Sequence, residues 1–175
     1  SRDNIRYDKS LGGGILNDAG CYPINASRML FESEPRGVFC NLTMDKETQV
    51  DTKAALLMDF DGNRQSQSSV GYDLEYQSNY RLWASDGSLS LTRAYNIPPD
   101  MQARLNIKNS NKDEEILIEP VNHFQLMVES FSDEIIKSNS DKFNFEEDLL
   151  NQAKVMEACR ISNDEKRYVE TKEIK

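Results

Sequence analysis

Apolar and polar residues alternate through the middle of the chain. In VFCNLTM (38–44), Val38, Cys40, Leu42 and Met44 share one side of an extended chain, and Phe39, Asn41 and Thr43 the other. In ALLMDF (55–60), Leu56, Met58 and Phe60 alternate with Leu57 and Asp59, and the turn sequence DGN (61–63) follows. Its hairpin partner, RQSQSSVGY, is unusually polar for a strand. YRLWAS and SLSLT flank Asp86-Gly87, and ARLNIK and EEILIEP flank NSNKD. This makes about seven strand-like runs joined by short turns, the pattern of an antiparallel sheet.

On either side of this region the period changes from two to between three and four. Residues 24–31 read as a short helix ending before SEPRG. Pro23 stands either at its first position, with Tyr22 near the N-cap, or inside a longer helix, where it would crowd the Ala19 carbonyl and bend the chain. In both cases Tyr22, preceding a proline, is expected to leave regular helix geometry. Later, Phe124, Val128, Phe131 and Ile135 form an apolar stripe behind a candidate N-cap, Asn122. After the polar loop KSNSDKFN, Asn144 and Glu147 resemble a capping box, and Leu149, Ala153, Met156 and Cys159 form a second stripe. The tail NDEKRYVETKEIK is expected on the surface or fraying. The order helix, strands, helices predicts an α+β fold, a mostly antiparallel open sheet with helices packed on one face, in one domain over 1–175. Phe39, Leu57 and Trp83 fall on the opposite face, which implies a covering partner, with a homo-oligomer through the sheet face as the expectation.

Composition narrows the function classes. The 175 residues carry a formal net charge of −9, which argues against nucleic acid or an anionic membrane as partner. No run is long and apolar enough to span a bilayer. Cys21, Cys40 and Cys159 make an odd number without a C-x-x-C spacing, so neither a disulfide framework nor a zinc site is expected, and a reducing, cytoplasmic location fits. A single histidine, His123, leaves no histidine-rich metal site and is expected on the surface at a helix start. The chain starts at Ser1 without a methionine, so a piece of a longer protein is expected.

The candidate chemistry lies in LGGGILNDAGCYPINASRML (11–30). No lysine follows the glycines as a phosphate-binding P-loop requires, and the spacing is not G-x-G-x-x-G. Asp18 and Tyr22 are four apart, so on a helix both act on one ligand: a carboxylate orienting hydroxyls beside a phenol that donates to an oxygen gaining charge. A free phenol has a pKa of about 10, so proton exchange near neutrality requires a nearby cation. On spacing alone, an Asp helix cap and a packed Tyr are the simpler reading.

The same stretch resembles the signature of the glucose–fructose oxidoreductase and inositol dehydrogenase family (Gfo/Idh/MocA): a triple-glycine turn, D-x-G-x-[HY], then an apolar helix. Here it reads Gly12-Gly13-Gly14, then Asp18-Ala19-Gly20-Cys21-Tyr22. NYRLWASDGSLSLTRAYNIPPD, NHFQLMVESFSDEI and LLNQAKVMEACRISNDEKRYV are similar to later family segments in the same order. NDAGCYP and RLWASDGSLSLTRAY lean towards the family's nucleotide-sugar ketoreductases.

The resemblance implies hydride exchange between NAD or NADP and a sugar, sugar derivative or nucleotide sugar, with no metal. Tyr22 occupies the position of the family's acid or base, and Asp18 that of its substrate-side aspartate. Arg6, in the stretch before the glycines, is a further substrate-binding candidate. The family's dinucleotide-binding (Rossmann) domain and its Glu-Lys-Pro lysine are absent from this chain. It is therefore expected to be a C-terminal substrate-binding and oligomerisation domain, inactive alone. A stand-alone, non-catalytic sugar-binding or oligomerisation module is the alternative.

Overall fold

The computed structural model describes residues 4–137 and 143–175. The polar loop expected before the last helix lies largely outside the described residues. In chain order the elements are α1 (Cys21–Phe31), β1 (Gly37–Met44), β2 (Asp51–Phe60), β3 (Arg64–Gly71), β4 (Tyr80–Ala84), β5 (Gly87–Leu91), β6 (Ala103–Asn109), β7 (Asp113–Ile118), α2 (His123–Ile136), α3 (Phe145–Glu165) and β8 (Val169–Glu170). The fold is α+β, and the strand pairs are antiparallel.

The strands form two four-stranded sheets, not one long one: β3-β2-β1-β8 and β4-β5-β6-β7. They belong to two compact units, one made of the chain up to Leu74 with Asn144–Lys175, the other of Glu75–Phe143. The ladder stops after β3, where Asp73 takes a left-handed backbone with φ of 57°. An L-residue in that conformation does not continue an extended strand.

The first unit holds a core formed by one face of its sheet. Val38 and Cys40 on β1 and Ala54, Leu56, Met58 and Phe60 on β2 are buried against Ile24 of α1 and Val155, Ala158 and Cys159 of α3. Each large side chain buried this way contributes about 1.5–3 kcal/mol. On the other face, Phe39 pairs with Leu57 and Leu57 with the polar Gln67. Beyond that apolar pair the face carries Asn41, Ala55 and Ser69 in register. The polar RQSQSSVGY run is a full strand because only alternate positions, Ser66, Ser68 and Val70, turn to the half-buried side.

On the outer side of β1, β8 pairs only with Gly37 and Val38. Further along, side chains of α3 complete the edge. Ser162 Oγ accepts the Cys40 N–H at 2.9 Å and donates to the Arg167 carbonyl at 2.6 Å. Asn163 Oδ1 accepts the Leu42 N–H at 2.8 Å. These bonds satisfy strand donors that would otherwise template a further strand. The buried face of α3 is therefore Val155, Ala158, Cys159, Ser162 and Asn163, while Leu149, expected in the apolar stripe, is exposed. The tail does not fray: Val169 is fully buried as part of β8.

Arg28 fixes α1 to α3. Its guanidinium meets Glu34 through Nε (2.6 Å) and Nη2 (2.8 Å), Asp148 through Nη2 (2.9 Å) and Gln152 through Nη1 (2.9 Å). The side chain is only 4% exposed, so it is paired on every side that burial deprives of water.

The second unit is a four-stranded meander followed by α2. The Asp86-Gly87 and NSNKD turns join β4 to β5 and β6 to β7 as the sequence predicts, with Ala84 opposite Gly87 and Lys108 opposite Asp113. Asn122 caps α2, accepting the Gln125 N–H at 3.2 Å. In α3, Asn144 accepts the Glu147 N–H at 3.1 Å and donates to its carboxylate at 3.0 Å. Trp83 is 88% exposed, and the Phe124, Val128, Phe131, Ile135 stripe of α2 lies open among the described residues.

Candidate functional site

The glycine turn is the first component. Gly13 N–H donates to the Asp8 carbonyl and Gly14 N–H to the Arg6 carbonyl, both at 2.9 Å, folding the preceding segment back on the helix start. A Cβ on Gly13 would lie 2.6 Å from the Arg6 carbonyl oxygen. Gly14 has φ of 116°, and a Cβ there would fall on Asp51 Oδ1. Both positions need glycine: one for close backbone approach, the other for its backbone angle and for the carboxylate beside it.

Asp51 explains that contact. From the first residue of β2, its Oδ2 accepts the Leu16 N–H at 2.6 Å, supplying the helix N-terminus with a capping anion. From the other side, Arg160 of α3 donates to Asn17 Oδ1 at 2.6 Å, and Asn17 donates to the Gly12 carbonyl at 2.9 Å. The family resemblance implies a nicotinamide dinucleotide, and this turn is where a phosphate would be sought. The residues do not fit one: the helix N-terminus is already occupied by a carboxylate, which would repel an anion.

The helix then begins in an unusual form. Leu16–Gly20 is a π-helical turn that runs directly into α1. Pro23 thus stands inside a longer helix, and Tyr22 lies within α1, not outside regular helix geometry. Proline lacks an N–H and its ring presses on the carbonyl four residues back, that of Ala19. The widened turn holds that carbonyl, which is where the chain absorbs the proline. Ser27 Oγ donates to the Pro23 carbonyl at 2.7 Å. A widened turn also draws residues four apart closer to one line along the helix, which favours Asp18 and Tyr22 acting together.

The three residues singled out in the sequence occupy one neighbourhood. Arg6 Nε donates to Asp18 Oδ2 at 2.7 Å, with both side chains partly open to solvent at 49% and 33%. Arg6 is held more firmly protonated than usual, first by that hydrogen bond and then by the Asp18 charge, with smaller contributions from Tyr72 and Tyr22. Tyr22 is 51% exposed one helical turn beyond Asp18.

Two contributors are not signalled by sequence motifs. Asp51 looks like an ordinary strand-start residue. Tyr72 closes the polar β3 run and is brought here by hairpin register, its N–H donating to the Thr52 carbonyl at 2.9 Å. Its ring stacks on Tyr7 at 5.3 Å and 43°. Burial pushes the Tyr72 phenol well above its ordinary range; the Asp18 charge adds to this and Arg6 opposes it. Cys21 lies beside the site with its thiol raised by burial, and its carbonyl accepts from Gln152 at 3.0 Å. His123 stands at the start of α2, exposed and away from these residues in sequence and element. Among the described residues, no cluster of three or more His, Cys, Asp or Glu is placed to hold a metal ion, and no helix is long and apolar enough to cross a membrane.

An α+β domain with a glycine turn, a carboxylate and a phenol on one helix start is a recognisable class, and comparison identifies it. The GFO/IDH/MocA C-terminal domain family matches residues 1–90, and the chain belongs to that family. It is 31% identical over 168 residues to the dTDP-3,4-didehydro-2,6-dideoxy-alpha-D-glucose 3-reductase of Streptomyces violaceoruber, covering 91% of this chain and 49% of that protein. It is 26% identical over 147 residues to an NADP(+) D-xylose 1-dehydrogenase of Haloferax volcanii, covering 84% of this chain and 45% of that protein. Among solved structures it superimposes on KijD10, a 3-ketoreductase from Actinomadura kijaniata crystallised with NADP and TDP-benzene. The TM-score is 0.81 at 25% identity, over 91% of this chain and 49% of that one. The chain spans about half the length of the curated relatives it matches.

Proposed function

We propose that this chain is the substrate-side domain of an NAD(P)-dependent oxidoreductase acting on a sugar or nucleotide sugar. In this reading Tyr22 supplies a proton to a carbonyl oxygen during reduction, or takes one from a hydroxyl during oxidation. Asp18 and Arg6 hold the substrate's hydroxyl groups. The dinucleotide contributes the hydride and is bound mainly by an N-terminal Rossmann domain preceding this segment, which also brings a lysine to the phenol. The isolated domain, lacking both, turns nothing over. A homo-oligomer through the sheet face is part of the same reading.

The single observation that carries it is the exposed Tyr22 phenol standing one turn beyond an Arg6–Asp18 pair in the D-x-G-x-[HY] sequence. A half-exposed tyrosine hydroxyl on a core helix is a group that can exchange a proton with a ligand, and the neighbouring carboxylate and guanidinium can hydrogen-bond the ligand's hydroxyls. The relatives' names support the substrate class: one reduces a dTDP-linked keto-sugar, another oxidises D-xylose with NADP.

The test is Tyr22→Phe in the full-length protein, assayed with NADPH and dTDP-keto-sugars and with NADP and aldoses. A fall in kcat of about 10²-fold with KM preserved is the expected result. An unchanged kcat would favour the non-catalytic sugar-binding module instead.

A further inference from the structure

Pro23 stands inside a continuous helix. The chain passes from the π-helical turn Leu16–Gly20 into α1 with Gly20 and Cys21 at ordinary right-handed angles, φ of −65° and −59°. A proline in such a place cannot give an N–H to the Ala19 carbonyl, and its ring presses on that carbonyl. The site residues lie on the two sides of this junction. Asp18 is within the π turn, bonded to Arg6 at 2.7 Å, and Tyr22 is in α1, half-exposed. A π-helical bond spans one residue more than an α-helical one. Tightening the turn would rotate the segment before it against α1 by one residue's step, about 100°.

Each side of the turn is fastened to a different neighbour. Before it, the Leu16 N–H donates to Asp51 of β2 and Asn17 accepts from Arg160 of α3, both at 2.6 Å. After it, the Ser27 hydroxyl donates to the Pro23 carbonyl at 2.7 Å and lies 2.6 Å from the Ser66 hydroxyl of β3. The contacts before the turn are one helix cap and one exposed side-chain bond. A proline inside a regular helix costs more than these supply, so the proline decides between the two forms.

We propose that Pro23 is a positioning residue: by denying the Ala19 carbonyl its regular partner it holds the helix in the π turn, which sets the rotation of Asp18 about the helix axis relative to Tyr22. A regular helix, with α1 kept in place by Arg28, would carry the Asp18 carboxylate away from Arg6. Pro23 itself touches no substrate and acts through these two residues. This deepens the function proposed above and rests on it for the roles of Asp18 and Tyr22.

Pro23→Ala restores the N–H and introduces a strong helix former, so the fold is retained. A crystal structure of this variant of the full-length protein is expected to show a regular helix through residues 16–20, with Arg6 Nε out of hydrogen-bonding distance of Asp18. An unchanged π turn and Arg6–Asp18 bond would place the cause in Asp51 and Arg160, and would overturn the proposal. This comparison needs no substrate, so it decides even if the full-length wild type turns over no sugar, an outcome that would sink the broader reading separately. With a sugar that is turned over, Pro23→Ala is expected to lower kcat at least tenfold while the melting temperature equals or exceeds that of the wild type. In a Tyr22→Phe background the same change should lower kcat less than twofold, because the positioned phenol is already gone. A kcat for Pro23→Ala within about twofold of the wild type, or an equal fall in both backgrounds, would overturn the assignment.

Discussion

Arg6 Nε lies 2.7 Å from Asp18 Oδ2, although twelve residues separate them. The contact exists because Gly13 and Gly14 let the chain double back, each giving its N–H to a carbonyl of the segment that carries Arg6. Both side chains remain partly in water, so the pair does little for the fold. Arg6→Gln is therefore expected to leave the melting temperature unchanged while raising the full-length protein's KM for its sugar about tenfold, the usual effect of losing a charge-assisted hydrogen bond. A lowered melting temperature with an unaltered KM would assign the pair a structural role.

Gly14 and Asp51 form a second couple, and theirs is structural. Gly14→Ala combines a left-handed backbone angle with a methyl placed on the Asp51 carboxylate, and is expected to cost about 2–4 kcal/mol in chemical denaturation. Asp51→Ala removes the helix cap at Leu16 and should cost about 1–2 kcal/mol. In the double variant the clash disappears, so its loss should be smaller than the sum of the two. Strict additivity would show that the carboxylate and the glycine are not in contact.

Arg28 ties the helix bearing Asp18 and Tyr22 to α3 through Glu34, Asp148 and Gln152. Arg28→Met keeps the bulk and removes the charge. It leaves two carboxylates facing each other, though both reach solvent at 46% and 39%, which moderates the penalty. A loss of about 1–3 kcal/mol in urea unfolding is expected, with the full-length protein's kcat falling as the helix loosens.

The C-terminal segment carries a pH dependence. Glu173 accepts from Arg167 at 2.8 and 3.1 Å and from the Glu170 N–H at 2.8 Å. These bonds, the Arg167 hydrogen bond first, hold its carboxyl below the ordinary value of 4.5. A lowered folded value means that this anchoring is complete above the ordinary glutamate range and is lost as the pH falls from there through the lowered folded value. The amide signals of Val169, Thr171 and Ile174 should therefore lose their dispersion on acidification below about pH 4. Glu173→Gln should show the loosened signals already at neutral pH. An identical acid response in that variant would place the titrating group elsewhere.

Much of the architecture was legible because it is local. Alternation in VFCNLTM and ALLMDF places Val38, Cys40, Leu56, Met58 and Phe60 in the core where burial is found. The DGN, Asp86-Gly87 and NSNKD turns and the Asn122 and Asn144 caps act within a few residues, through backbone angles and hydrogen bonds that the residue types dictate. The signature itself supplied Asp18 and Tyr22, whose spacing fixes them on one helix start, and the stretch before its glycines supplied Arg6.

Tertiary structure decided the rest. The division into two sheets falls between β3 and β4, in a segment where Asp73 is left-handed and which no alternation pattern marks. The edge of β1 is completed by Ser162 and Asn163, more than a hundred residues away, so a polar stripe on α3 serves as a buried face. The reason for Gly14 became visible only when β2 brought Asp51 onto it. Tyr72 joined Tyr7 through hairpin register. Local sequence sets backbone preference and period; the partners of a buried polar group are set by which distant segments meet, and that is a property of the packed chain.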